Sequence, residues 1–310
     1  MAAKIQFKTE KKSGWVSGYD FEKLLFQVKD NIFSNKQALT IVIQAKSNAP
    51  INTIIRLLNV ANQLDEKGVK VTLDFSGKTN RLYGYCETMG FIECLSDNVV
   101  VKNNSSIKKV GKIKKSGNSY VSIHCISGSV HDKELPKALA RKITENIPEI
   151  NENQRQELFT QFFSLFSELT RNVCEHSKTE LNGFAALQVY KNNRAEIVVC
   201  DSGIGLLESL KSTFEAHNKK YKDFTDKELI VEMLTRGISS KEGDQGGNGL
   251  CTCFHHAKLT NSDMHIRLND SYYHFYKVAD KPKLVDSMKV TNELLELSGT
   301  FISFAVPFTK

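Results

Sequence analysis

The chain has 310 residues, a formal net charge of +7, 40% hydrophobic and 25% charged residues. That size and balance fit a globular protein of two domains with enough apolar material for two buried cores. No run approaches the ~18 consecutive apolar residues of a membrane helix. The opening Met-Ala-Ala-Lys-Ile-Gln-Phe-Lys lacks the apolar centre of a signal peptide, so a cytoplasmic protein without membrane contact is expected.

Residues 1–18 are basic and read as an edge strand or an unstructured arm. Asp20 is placed to cap a helix running to about Phe33, with Phe21, Leu24, Leu25, Val28 and Ile32 on its buried side. Ala38–Ala45, rich in β-branched residues, predicts a strand. Pro50 opens a helix with an apolar stripe of Ile54, Leu57, Leu58, Ala61 and Leu64, stopped at Lys67-Gly68. Val69–Phe75 predicts a second strand, Ser76-Gly77 a turn, and Leu82, Tyr85, Cys86 and Met89 a further helix. Strand and helix alternate, which predicts a small α/β layer with right-handed crossovers. The chain has seven cysteines, and Cys86, Cys94, Cys125 and Cys200 sit in apolar segments, so they read as reduced core residues rather than disulfide partners.

The strand end Asp74-Phe-Ser-Gly77 and the later Met89-Gly-Phe91 resemble STAS-like interaction domains over about residues 36–100. The segment that carries the phosphoacceptor serine in that family reads Lys78-Thr-Asn-Arg-Leu-Tyr-Gly84 here, without a serine. No phosphorylation site is carried over. A generic α/β docking domain fits the same residues, and either implies a protein partner for this N-terminal unit, residues 1–105.

Residues 106–116 hold five lysines and form a basic linker. The lysines of Lys108–Lys115 could contact nucleic-acid phosphates, but such runs also keep an exposed edge soluble, and no aromatic residues interleave for base stacking. A second unit then spans residues 117–310. It is predicted to contain a strand over Gly117–Cys125, a helix over Lys133–Asn146 and another from Pro148 through Glu168. Strands Phe184–Tyr190 and Ala195–Cys200 follow, joined by a turn at Asn192-Asn193. Asp226 is placed to cap a helix ending near Arg236, another helix starts at Leu250, and a last strand runs from Thr300 to Pro307.

Within the long helix, Glu168, Asn172 and His176 stand four apart and share one face, while Phe159, Phe162, Phe163, Phe166 and Leu169 form the apolar face. A carboxylate and a carboxamide one turn apart can position a water and a hard cation together; a solvated helix face gives the same pattern. After the strand ending at Cys200 comes Asp201-Ser-Gly203-Ile-Gly205. It sets a hydrogen-bond acceptor beside backbone of little bulk, suited to an adenine amino group, although turns also produce this pattern. Gly237–Leu250 contains Gly243, Gly246, Gly247 and Gly249 and cannot be helix or strand interior. Before a helix, such a loop offers free N–H groups to phosphates and is long enough to act as a lid.

These motifs, in this order and with the closing Gly299-Thr300 strand, resemble the GHKL ATP-binding superfamily over about residues 117–310, closest to its histidine-kinase-like branch. The resemblance implies an α/β fold with a C-terminal two-layer α/β sandwich and a smaller N-terminal α/β domain. By the same resemblance, Glu168 would orient or activate the attacking water and Asn172 would hold Mg²⁺ bridging the phosphates. Asp201 would read adenine, with Gly203 and Gly205 shaping that wall. Gly246, Gly247 and Gly249 would cover the phosphates, with Leu250 opening the helix behind them. Thr300 would help to hold adenine through water, and Lys241 would approach the phosphates.

The chain departs from the family in two respects. An upstream two-helix segment with a phosphoacceptor histidine is missing, and His176 reads as a structural neighbour. No second domain that would supply a lysine to the γ-phosphate is expected from these residues, so hydrolysis is expected to be slow or to need a partner or a homodimer. Cys251-Thr-Cys253-Phe-His255-His256 pairs its candidate ligands on two different helix faces, too few together for a structural zinc site. The expected function is Mg²⁺-dependent ATP binding with slow hydrolysis, working a conformational switch. The alternatives are a serine/threonine protein kinase of the anti-sigma-factor type, and a non-catalytic ATP-gated scaffold for protein or nucleic acid.

Overall fold

The computed structural model describes residues 3–9, 14–33, 37–77, 80–103, 116–127, 132–176, 179–217, 221, 223–238, 248–259, 262–275, 288–291 and 294–308. The fold is mixed α/β, with one parallel and one antiparallel sheet. The parallel sheet has the order β1 (Ala3–Phe7), β2 (Ala38–Ile43), β3 (Lys70–Asp74), β4 (Val100–Lys102). Its strands alternate, so Ile5, Phe7, Leu39, Ile41, Ile43, Val71 and Leu73 are buried on one face. The other face carries the register row Lys4, Thr40, Thr72 and Val100 and is partly exposed. Parallel sheets are mostly covered on both faces; the polar residues Lys4, Thr40 and Thr72 make one open face tolerable here.

Helix α1 (Gly18–Phe26) starts one turn earlier than its acidic cap suggested. Ser17 is the N-cap, and Asp20 closes a capping box by accepting hydrogen bonds from the Ser17 N–H and hydroxyl. The helix also breaks before Phe33: a separate turn, α2, spans Lys29–Ile32. Helix α3 (Ile51–Glu66) follows Pro50 as expected, and α4 spans Arg81–Thr88 before a 3₁₀ turn at Ile92–Cys94.

The antiparallel sheet has the order β11-β10-β9-β12-β8-β7-β6-β5 among the described residues. In chain order these strands are β5 (Ser116–Gly117), β6 (Tyr120–Ile126), β7 (Gly183–Tyr190), β8 (Arg194–Cys200), β9 (Asp263–Leu268), β10 (Ser271–Phe275), β11 (Met288–Thr291) and β12 (Thr300–Pro307). The hairpin β7–β8 turns at Asn193, whose φ of 55° is the positive angle expected of it. Sequence reasoning overlooked β9, β10 and β11, although Met264, Ile266 and Leu268 of β9 and Tyr273 and Phe275 of β10 keep the alternation of a half-buried strand. On one face lie α5 (Glu134–Asn146), α6 (Glu152–His176), α7 (Leu206–His217), α8 (Asp226–Arg236) and α9 (Asn248–Leu259). Thr225, not Asp226, caps α8, because Glu228 at the third position completes its capping box.

Two hydrophobic cores result, and the antiparallel sheet divides them. One joins Val121, Ala185, Leu187, Ile197 and Val199 to α5, α6, α8 and α9. The other joins Ile123, Phe184, Ala186, Val198 and Phe301, from the opposite face, to α1, α3, α4 and the parallel sheet. Helix α3 is therefore buried nearly all round, between two sheets. Its polar residues Asn52, Arg56, Asn59 and Gln63 recur at helical spacing and make hydrogen bonds within this seam. Asn52 donates to Glu196 at 2.5 Å, and Tyr190 Oη donates to the same carboxylate at 3.1 Å. Arg56 donates to Glu22 of α1 at 2.7 Å and lies over the Phe301 ring.

Candidate functional site

Strand β8 ends at Cys200, and Asp201 turns the chain out of the sheet beside the start of β12. The Gly203 N–H donates to Asp201 Oδ1 at 2.8 Å and the Thr300 N–H to Oδ2 at 3.2 Å. The Asp201 N–H in turn donates to the Thr300 carbonyl at 2.9 Å, and the Leu206 N–H, at the head of α7, donates to Thr300 Oγ1 at 3.1 Å. Asp201, Gly203, Gly205 and Thr300 are thus drawn into one knot from widely separated stretches of the chain. Burial pushes the Asp201 carboxyl up to about 6, against the lowering effect of the two N–H donors.

Two glycines make the knot possible. Gly205 has φ +78°, and a Cβ there would lie 3.1 Å from the Gly299 carbonyl oxygen. Gly299 has φ +87°, and a Cβ there would lie 2.1 Å from the Asp201 carbonyl oxygen. In the sequence alone Gly299 reads only as the start of a strand. Gly299→Ala is expected to cost more than the ~1–3 kcal/mol of a strained backbone alone, because the overlap adds to it. Thermal unfolding of the variant checks this; an unchanged midpoint contradicts it.

Helix α6 reaches the same region from the other core. Gly183 at the start of β7 leaves no room for a side chain: a Cβ would lie 2.3 Å from Val173 Cγ1 and 2.7 Å from the Cys200 carbonyl oxygen. The last turns of α6 and the strand end before Asp201 therefore meet at Gly183, a position without any advance signal beyond its place in a loop-to-strand junction. Glu168 is one-fifth exposed and pairs with Arg171 one turn on. Burial, and then the Glu168 carboxylate, push the Cys253 thiol up, which puts Glu168 within electrostatic range of α9. Asn172 is half-buried on α6. Among the described residues no hydrogen bond or ion pair links Glu168 or Asn172 to the Asp201 knot.

Leu250 is buried in the first turns of α9, and Gly249 precedes it within the helix. Lys241, Gly246 and Gly247, the side chain of His176 and the lysine run Lys108–Lys115 lie outside the described residues. Oxygen donors such as Asn172 Oδ1 and the Glu168 carboxylate suit a hard divalent cation.

The seam with α3 adds partners that sequence reasoning missed. Ser202 Oγ donates to Asn59 Oδ1 at 2.6 Å. Gln63 makes a two-point contact with one residue: its Nε2 donates to the Ser298 carbonyl and its Oε1 accepts from the Ser298 N–H, both at 2.9 Å. The polar spacing Asn52, Arg56, Asn59, Gln63 was the available signal for this contact. No known family model matches the chain, and no curated protein matches it.

Proposed function

We propose that the chain binds ATP with Mg²⁺ in a GHKL-type α/β sandwich and hydrolyses it slowly, the nucleotide biasing the contact between its two sheets. The observation that carries this is the Asp201 knot. Its carboxylate is buried at a strand end, where the Gly203 N–H, the Thr300 N–H and the Thr300 hydroxyl bond to it among the described residues; two oxygens with two lone pairs each can still take an exocyclic amino group. Gly203 and Gly205 let a flat base lie against the chain, and Thr300, with its hydroxyl held by the Leu206 N–H, is the neighbouring polar group.

Asn172 would hold Mg²⁺, whose charge would offset that of the phosphates. Glu168 would orient the attacking water, exchanging its contact with Arg171 for that water. Lys241, Gly246, Gly247 and Gly249 would close over the phosphates, Leu250 anchoring the helix behind them. The switch follows from α3. Asn59 and Gln63 hold Ser202 and Ser298, the residues on either side of the knot. A shift of that loop on nucleotide binding would strain contacts with the N-terminal layer, through which a protein partner would sense it.

Isothermal titration with ATP and Mg²⁺ tests the proposal, and absence of binding sinks it. Labelled ATP then shows whether water or a partner protein accepts the phosphate. A pH dependence also follows. An Asp201 carboxyl that titrates at about 6 is a free acceptor above that pH and protonated below it. Affinity is expected to be level above about pH 6 and to fall about tenfold per pH unit below it. Asp201→Asn should bind weakly and lack this step, so comparing the two profiles by calorimetry removes the titration of the phosphates themselves.

A further inference from the structure

The Sγ atoms of Cys94 and Cys125 lie 2.8 Å apart, although the two residues belong to different sheets' surroundings. Neither is the deep core residue its sequence suggested: Cys94 is half-buried and Cys125 is exposed. Fixed backbone holds both. The Cys94 carbonyl accepts from Asn62 Nδ2 of α3 at 2.9 Å. Cys125 sits in β6 opposite Phe184, just after a bulge between Val121 and His124. The Ile123 N–H donates to the Met89 carbonyl at 2.8 Å, pinning β6 to the segment that leads to Cys94. Rigid elements on both sides therefore hold two sulfurs within about 0.8 Å of the ~2.05 Å bonding distance.

We propose that Cys94 and Cys125 form a reversible disulfide that locks the N-terminal layer to the antiparallel sheet, with a low-molecular-weight disulfide as oxidant. This assignment is independent of nucleotide binding. Cys125 lines an open cleft of about 220 Å³ with His124, Ile126 and Asp132, which gives the oxidant a path to its sulfur. Cys125 is exposed whereas Cys94 is half-buried, so Cys125 is the sulfur that an external disulfide reaches first and is the attacking one. Its thiolate attacks one sulfur of the oxidant; the oxidant's S–S bond breaks and one thiolate leaves. The Cys94 thiol then gives up its proton, and its thiolate attacks Cys125 Sγ in the mixed disulfide. The second thiolate leaves, and the protons from Cys94 and Cys125 end on the two departing thiols. Two cysteines are oxidised and one external disulfide is reduced to two thiols.

The test treats the full chain with oxidised glutathione, alkylates the remaining thiols and maps the peptides without reduction. The expected result is an intact mass lower by two hydrogens, one linked pair of peptides carrying Cys94 and Cys125, and a higher unfolding temperature that returns to its starting value with reductant. Cys94→Ser is expected to stop at a glutathione adduct on Cys125, whereas Cys125→Ser gains none at Cys94. Alkylation of both residues in the oxidised wild type, or a bond from Cys125 to any other cysteine, overturns the proposal. An adduct at Cys94 in Cys125→Ser, with none at Cys125 in Cys94→Ser, overturns the order of attack. The reduced wild type, measured alongside, separates loss of the bond from loss of fold.

Discussion

Truncation of Glu22 to alanine is expected to destabilise the fold by about 3–5 kcal/mol, the range for removing one partner from a buried ion pair. Glu22 is 0% exposed, and its Oε1 accepts from Arg56 Nη1 and from Arg267 Nε, each at 2.7 Å. Arg56 and Arg267 are 3% and 4% exposed. The three residues come from α1, α3 and β9, so the triad ties the N-terminal layer to the antiparallel sheet. Without the carboxylate, two guanidinium groups face each other in a space that excludes water. The coupling also has a pH signature. Burial alone would raise the Glu22 carboxyl, but Arg267 and Arg56 outweigh it and hold the group below its ordinary value of 4.5. A depressed folded-state value stabilises the fold above the unfolded value and loses that contribution as pH falls from about 4.5 toward the folded value. Denaturant unfolding at neutral pH and near pH 4 checks both points. Glu22→Ala should be less stable at neutral pH and less sensitive to acid than wild type; equal stability at neutral pH contradicts the triad's role.

Replacement of Glu168 by glutamine is expected to leave ATP affinity and thermal stability nearly unchanged while lowering turnover by about 10²–10⁴-fold, the usual contribution of a positioned acid–base group. Glu168, like Glu22, is paired with an arginine, yet the two cases differ in burial. Arg171 is 41% exposed, so water solvates it once the carboxylate is gone, and such pairs contribute about 0–1 kcal/mol. Glutamine keeps the shape and one acceptor, so any lost turnover reflects the missing carboxylate. Calorimetry with ATP and Mg²⁺, beside a steady-state phosphate-release assay, separates binding from chemistry. Unchanged turnover would remove Glu168 from the reaction.

The local elements were legible because each carries its own physical signature. The alternation of β2 and β3, the apolar stripes of α3 and α6 and the Asn193 turn all involve residues near one another in the chain. Errors at helix starts were equally local. Asp20 and Asp226 are good capping residues, but Ser17 and Thr225 each have an acidic partner at the third helical position, and the reciprocal capping box won. The strands β9, β10 and β11 went unread although Met264, Ile266 and Leu268, and then Tyr273 and Phe275, keep the two-residue period; what the sequence leaves open there is that Arg267, on the polar face of β9, is buried against Glu22.

What depends on long-range closure was not written locally. The sequence by itself determined an α/β chain with an N-terminal strand–helix unit, a long helix bearing Glu168 and Asn172, and a glycine-flanked Asp201. Tertiary structure decided that the polar edge of α3 faces a second sheet instead of water. Asn52, Arg56, Asn59 and Gln63 are chemically suited to either setting, and only the partners Glu196, Glu22, Ser202 and Ser298 make their burial tolerable. It also decided that Gly183 and Gly299 are contact points of bare backbone and that Cys94 meets Cys125. Each depends on the distance between residues far apart in the chain, which local propensity does not specify.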